Sequence, residues 1–124
     1  MLYMFLLYAD PNVPPAPNLM EAHFAVAEEA RRRNAYVTSE AIGGTGNATT
    51  VRVRDGEALV TDGPFAETKE VLGGFYILDC TDLDEALEYA AEIPDSSHGA
   101  VEVRPVMHVP DWDYAIPGER RPFS

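Results

Sequence analysis

Two periodicities divide the chain into successive elements. Leu2 to Tyr8 is apolar at every position, the pattern of a strand covered on both faces. Four prolines within residues 11–17 then impose an extended surface loop. Asn18 is placed to cap a helix running to about Arg33, with Glu21 three residues on as its capping-box partner. A helical step of ~100° per residue puts Leu19, Met20, His23, Phe24, Val26, Ala27 and Ala30 on one side, with Glu21, Ala25, Glu28 and Arg32 opposite. His23 therefore falls near the middle of the inward face. Arg31, Arg32 and Arg33 suit the negative end of the helix dipole, and Asn34 suits the stop.

A second strand begins at Tyr36, and Gly43 to Asn47 reads as a loop. Val51 to Arg54 alternates with period two, and Asp55-Gly56 predicts a hairpin into Ala58-Leu59-Val60. Gly73 to Asp79 is the most apolar strand and so the central one. Asp82 with Glu85 caps a second helix, about Leu83 to Glu92, whose predicted buried side is Leu83, Ala86, Leu87 and Ala90. Pro94 ends it, and Ala100 to Arg104 alternates again as a last strand. This order predicts an α+β, ferredoxin-like sandwich with two helices on one face of an antiparallel sheet and an inserted β-hairpin. The strands carry more apolar residues than two helices can cover, so a homodimer packed sheet against sheet is expected. Residues 1–109 form one domain, and residues 110–124, with Trp112, Tyr114 and Phe123, form an extension suited to packing on the dimer partner.

At 124 residues the chain is sized for one core. Its formal charge of −12 opposes nucleic acid or an anionic membrane surface as a partner. No apolar run reaches the ~20 residues of a membrane span. Met1 to Tyr8 lacks the basic start and cleavage site of a signal peptide. A single cysteine, Cys80, allows no intrachain disulfide. These features fit a cytoplasmic protein.

The densest chemistry stands between two strands, in Thr61-Asp62-Gly63-Pro64-Phe65-Ala66-Glu67-Thr68-Lys69-Glu70. Gly63-Pro64 cannot continue a ladder, so this stretch is a rigid, charged loop. Asp62 has two readings: a turn cap, or a carboxylate facing a pocket beneath the first helix and orienting His23. His23 likewise is either a buried, hydrogen-bonded core histidine or a general base working near neutral pH. Tyr8 and Arg52 are candidates to position a substrate. Phe65 is either a ligand contact or an apolar anchor for the loop. The glycine cluster at 43–46 lacks the lysine and the strand-to-helix setting of a phosphate loop. His98 and His108 have no helical ligand spacing, so no metal and no cofactor are expected. Cys80 reads as a small buried hydrophobe.

The start Met1-Leu2-Tyr3-Met4-Phe5-Leu6-Leu7-Tyr8, the block from Thr49 to Glu70, Leu72-Gly73-Gly74-Phe75-Tyr76-Ile77 and Val101-Glu102-Val103-Arg104-Pro105-Val106 together resemble the YCII-related, or DGPF-domain, proteins over roughly residues 1–107. The resemblance implies a dimeric α+β barrel of ferredoxin-like subunits. It implies that His23 matches the family histidine on the first helix, with Asp62 the best candidate for its acidic partner. Some relatives are thought to be enzymes using a His–Asp pair, one of which eliminates HCl from a chlorinated hydroxyquinone. DGPF members are also often encoded beside extracytoplasmic-function sigma factors. The Pro-rich insertion at 11–17 and the extension after Val109 depart from the core pattern.

Three readings follow. The first is a cofactor-free enzyme acting on a small organic molecule by proton transfer (isomerisation, elimination or hydrolysis) through His23 and Asp62. The second is a non-catalytic binding or regulatory module in a sigma-factor pathway. The third is a purely structural homodimer.

Overall fold

The computed structural model describes residues 1–109, so the expected packing of the 110–124 extension lies outside the described residues. The elements run β1 (Leu2–Ala9), α1 (Leu19–Arg32), β2 (Tyr36–Ala41), a single 3-10 turn (Thr45–Asn47), β3 (Thr49–Arg54), β4 (Glu57–Asp62), β5 (Val71–Asp79), α2 (Leu83–Glu92), a one-turn α3 (Asp95–His98) and β6 (Ala100–Pro105). Four strands form one antiparallel sheet in the order β2-β5-β1-β6, and β3-β4 is a separate hairpin. With the hairpin set aside, this is the ferredoxin-like order.

Local chemistry sets several boundaries. Asn34 takes a left-handed φ of 58° just past α1. The Ala35 N–H then bonds the Ala30 carbonyl at 2.8 Å and the Asn34 N–H bonds that of Arg31 at 3.1 Å, the paired bonds of a Schellman stop. The three arginines that precede it find separate partners: Arg31 lies over the Tyr36 ring, Arg32 pairs with Glu29, and Arg33 reaches Glu85 and the Tyr89 ring. At the hairpin tip Asp55 and Gly56 have φ of 52° and 79°, as a two-residue turn with both φ values positive requires. Asp82 accepts from the Glu85 N–H at 2.9 Å and so caps α2. Asn18 stands at the corresponding position of α1 without a side-chain cap bond; its backbone, at φ −101°, ψ 23°, lacks the extended conformation that Asp82 has as a cap.

The core lies between the sheet and the helices. Tyr3, Phe5 and Leu7 of β1 meet Tyr76 and Leu78 of β5, and Val26, Ala30, Ala86, Tyr89, Ala90 and Ile93 close over them. Phe5 and Leu78 are wholly buried, each stabilising the fold by about 1.5–3 kcal/mol. Two expectations about this core change. First, α2 turns Ala86, Tyr89, Ala90 and Ile93 inward, while Leu83 and Leu87 are exposed. The buried stripe is Ala86, Tyr89 and Ala90, continued by Ile93 at the helix end, one turn later than the predicted one. Second, Met20 and Phe24 are exposed, Phe24 by 64%. Only the C-terminal half of α1 enters the core, and the N-terminal half stands over a cavity.

Nor is β1 covered on both faces by the described residues. Strand alternation puts Met4, Leu6 and Tyr8 on the side away from the helices, where with Phe75 and Ile77 they are half-buried. The hairpin β3-β4 is exposed along nearly all its length. Val51, Val53, Ala58 and Val60 form one face of it, an apolar surface on a two-stranded unit that is marginal by itself.

Candidate functional site

The N-terminal half of α1, the paired ends of β2 and β5, and the start of α3 line a cavity of about 290 Å³ that opens to solvent beside Met20 and Phe24. Leu7, Leu19, Met20, Phe24 and Ala27 supply apolar wall, and His23, Ser39, Tyr76 and Asp95 supply polar groups. Each arrives by its own local rule. His23 is one turn before the buried Val26-Ala27 pair of α1. Ser39 and Tyr76 are cross-strand partners in β2 and β5, so their side chains share the helix-facing side. Asp95 opens α3, directly after the Pro94 that ends α2.

His23 lies between two of these groups. Its Nδ1 is 2.7 Å from the Tyr76 hydroxyl, and its Nε2 is 3.0 Å from Asp95 Oδ1. The His23 and Asp95 side chains are 19% and 14% exposed, removed from most bulk solvent. The Asp95 contact is a close approach rather than an aligned hydrogen bond, since Oδ1 is buried and has no conventional hydrogen-bond partner among the described residues, and it is an ion pair only when the ring is protonated. Burial, then the Asp95 charge and Tyr36, push the Tyr76 phenol up to about 12, so it stays protonated at neutral pH. The phenol also lies 3.4 Å from the His23 carbonyl, so two arrangements satisfy the site: Tyr76 O–H donating to Nδ1, or Nδ1–H donating to the Tyr76 oxygen while the phenol donates to that carbonyl. The first arrangement leaves Nε2 to carry the ring proton on the side of Asp95. On the far side of the cavity, the Ser39 hydroxyl bonds the Tyr36 hydroxyl at 2.6 Å.

The residues singled out in the sequence distribute unevenly. His23 lies in the cavity wall. Asp62 is exposed at the end of β4, opposite Thr49, and among the described residues no hydrogen bond or ion pair joins it to His23. The carboxylate against the imidazole is Asp95. Tyr8 alternates to the opposite sheet face, where its hydroxyl is 3.4 Å from Glu102 Oε1. Arg52 donates to the Phe65 carbonyl at 3.3 Å, tying the Asp-Gly-Pro-Phe loop to the hairpin. Phe65 itself is 78% exposed, so within the described residues it is neither a core anchor nor a cavity residue. The loop is instead shaped by its backbone: Gly63 takes φ 103°, its N–H bonds the Ala48 carbonyl at 2.7 Å, and its carbonyl accepts from Thr50 Oγ1 at 2.8 Å. Asp95 carried no sequence signal beyond its place after a helix-ending proline. Tyr76 was legible only as one aromatic in an apolar strand. Cys80 is 1% exposed, and burial, with Glu85 and Asp79 nearby, pushes its thiol up to about 11, which makes it unreactive.

Comparison with known proteins places this architecture. The YCII-related domain family matches residues 1–112. An uncharacterised protein of Rhizobium meliloti (strain 1021) is 40% identical over 114 residues, covering 86% of this chain and 92% of its own. In fold, the chain is similar to the 5-chloro-2-hydroxyhydroquinone dehydrochlorinase of Burkholderia phenoliruptrix AC1100, solved in complex with 2,5-dihydroxybenzoquinone. That likeness has a TM-score of 0.51 at 17% identity and covers 88% of this chain and 96% of the other. Motif, sheet order and family match agree: the chain belongs to the YCII-related family.

Proposed function

We propose that this protein is an enzyme acting on a small organic molecule by cofactor-free proton transfer, with His23 as the base. The observation that carries this reading is the His23 imidazole, held between the Tyr76 hydroxyl and Asp95 in the wall of a cavity of about 290 Å³. Asp95 takes the part that the sequence suggested for Asp62. The proton path uses the arrangement in which the Tyr76 O–H faces Nδ1. An acidic O–H or C–H of the ligand gives its proton to the Tyr76 oxygen as the phenol passes its own to Nδ1. The resulting imidazolium faces the Asp95 carboxylate, which stabilises it. Returning the proton to a different ligand atom gives isomerisation, and loss of a leaving group gives elimination. The dehydrochlorinase of the same fold offers a precedent for small-molecule chemistry on this scaffold.

The test is exchange of carbon-bound hydrogen with deuterated water, followed by proton NMR on a panel of enolisable ketones and hydroxyquinones. Wild type exchanges at least one of them and His23→Ala does not. A folded His23→Ala protein with the full rate overturns the proposal. The alternative, a non-catalytic binding module linked to a sigma-factor pathway, is favoured by one observation: both ring nitrogens already have partners. It requires that His23→Ala and Asp95→Asn leave every exchange rate unchanged. A homodimer belongs to either reading. It is proposed from the half-buried apolar face of Met4, Leu6, Phe75 and Ile77.

A further inference from the structure

We infer that the cavity takes an uncharged molecule of about one substituted ring, presenting a hydroxyl or carbonyl to the polar groups, and selects against carboxylates and phosphates. This rests on the cavity being the working site proposed above.

The size comes first. A dry apolar cavity of about 150 Å³ accepts one benzene ring. The space here is about 290 Å³ and open where Met20 and Phe24 are exposed, room for a ring with substituents inside it.

Charge decides the class. Among the described residues no lysine or arginine lines the cavity, so none of them pairs bidentately there with a carboxylate or phosphate. An anion would instead face the buried oxygen of Asp95. It would do so across apolar walls, where like charges repel more strongly than in water.

A cation meets one carboxylate there, and it must share that oxygen with the imidazole edge, whose Nε2 lies 3.0 Å from Asp95 Oδ1. The other carboxylate at the cavity, Glu40, pairs with Phe75 rather than with Tyr76, so alternation turns its side chain to the opposite sheet face. What remains for a ligand is the Ser39 hydroxyl and the phenol oxygen of Tyr76, groups that recognise neutral oxygen functions.

Three one-ring probes of similar size separate the cases: 4-methylphenol, 4-methylbenzoate and 4-methylbenzylammonium, titrated into the full chain while the His23 ring signals are followed by NMR. The phenol is expected to shift those signals and to bind at least tenfold more tightly than either ion. In Ser39→Lys, which adds a cation at the cavity, the preference is expected to move toward the benzoate. Benzoate or ammonium binding as tight as the phenol in wild type overturns the inference, and so does the absence of binding by all three. Binding is read without turnover, so the two proposals fail separately. Selective phenol binding with no proton exchange removes only the catalytic reading, whereas exchange confined to carboxylate substrates removes only the ligand class.

Discussion

The imidazole of His23 and the phenol of Tyr76 are stacked with ring centroids 5.9 Å apart and planes inclined by 22°, while their polar atoms approach to 2.7 Å. One residue comes from the first helix and the other from the central strand, so this contact ties the lifted end of α1 to the sheet. Tyr76→Phe keeps the ring and deletes the bond. It is expected to cost about 1–3 kcal/mol of stability, because His23 Nδ1 is left inside without a donor. Denaturant unfolding measures the loss, and nitrogen NMR should find His23 Nδ1 as the unprotonated nitrogen in wild type only.

Asp95→Asn removes the carboxylate that faces the imidazolium. Exchange on any substrate found is expected to slow by about 100- to 1,000-fold, the usual scale of acid–base assistance. Asp62→Asn, at an exposed end of β4, should leave the rate within about twofold of wild type, since surface substitutions usually change energies by less than ~0.5 kcal/mol. The reverse ranking of the two variants would return the acidic role to Asp62.

Alkaline pH should destabilise the fold through two buried acids. The folded protein holds the Cys80 thiol up to about 11 against an ordinary 9.0, and the Tyr76 phenol up to about 12 against 10.0. The unfolded chain releases these protons first, so the folded state binds more protons in the window from 9 to 12. Stability is then full below about pH 9 and declines as pH rises through that window. Urea midpoints measured against pH should fall there, and in Tyr76→Phe the decline above pH 10 should be shallower.

Leu6 pairs with Phe75 and Glu102 on the sheet face away from the helices. If a second copy covers that face, Leu6→Glu buries a charge in the interface and yields monomer, while the cavity on the other face keeps its ligand affinity. Sedimentation reads the mass and NMR titration the affinity. A wild type of single-chain mass would end the dimer proposal.

Gly99 joins α3 to β6 where the chain passes against β1, and a Cβ there would overlap the Tyr8 carbonyl. Gly99→Ala is expected to cost about 1–3 kcal/mol or more, because backbone, not a flexible side chain, must move. The same shift would carry Asp95 away from His23, so thermal unfolding and the His23 ring signals should change together.

What the chain's own pattern determined is the set of elements and their order. An element's periodicity and caps are local: Asn34 stops α1, Asp55-Gly56 turns the hairpin, and Asp82 caps α2, each through bonds within a few residues. The inward placement of His23 was likewise legible from a helical wheel. Tertiary structure alone decided what His23 meets. Tyr76 and Asp95 come to it from β5 and α3, and a one-turn helix after a proline carries no mark of its destination. Asp62 shows the converse. It has the most conspicuous sequence setting in the chain, yet the two-residue turn and the hairpin bonds commit β4 to its own small sheet, and that register leaves its carboxylate exposed. Sequence spacing sets what a residue's neighbours along the chain can do, but the meeting of two side chains across a cavity depends on how helices and sheet settle over a shared core.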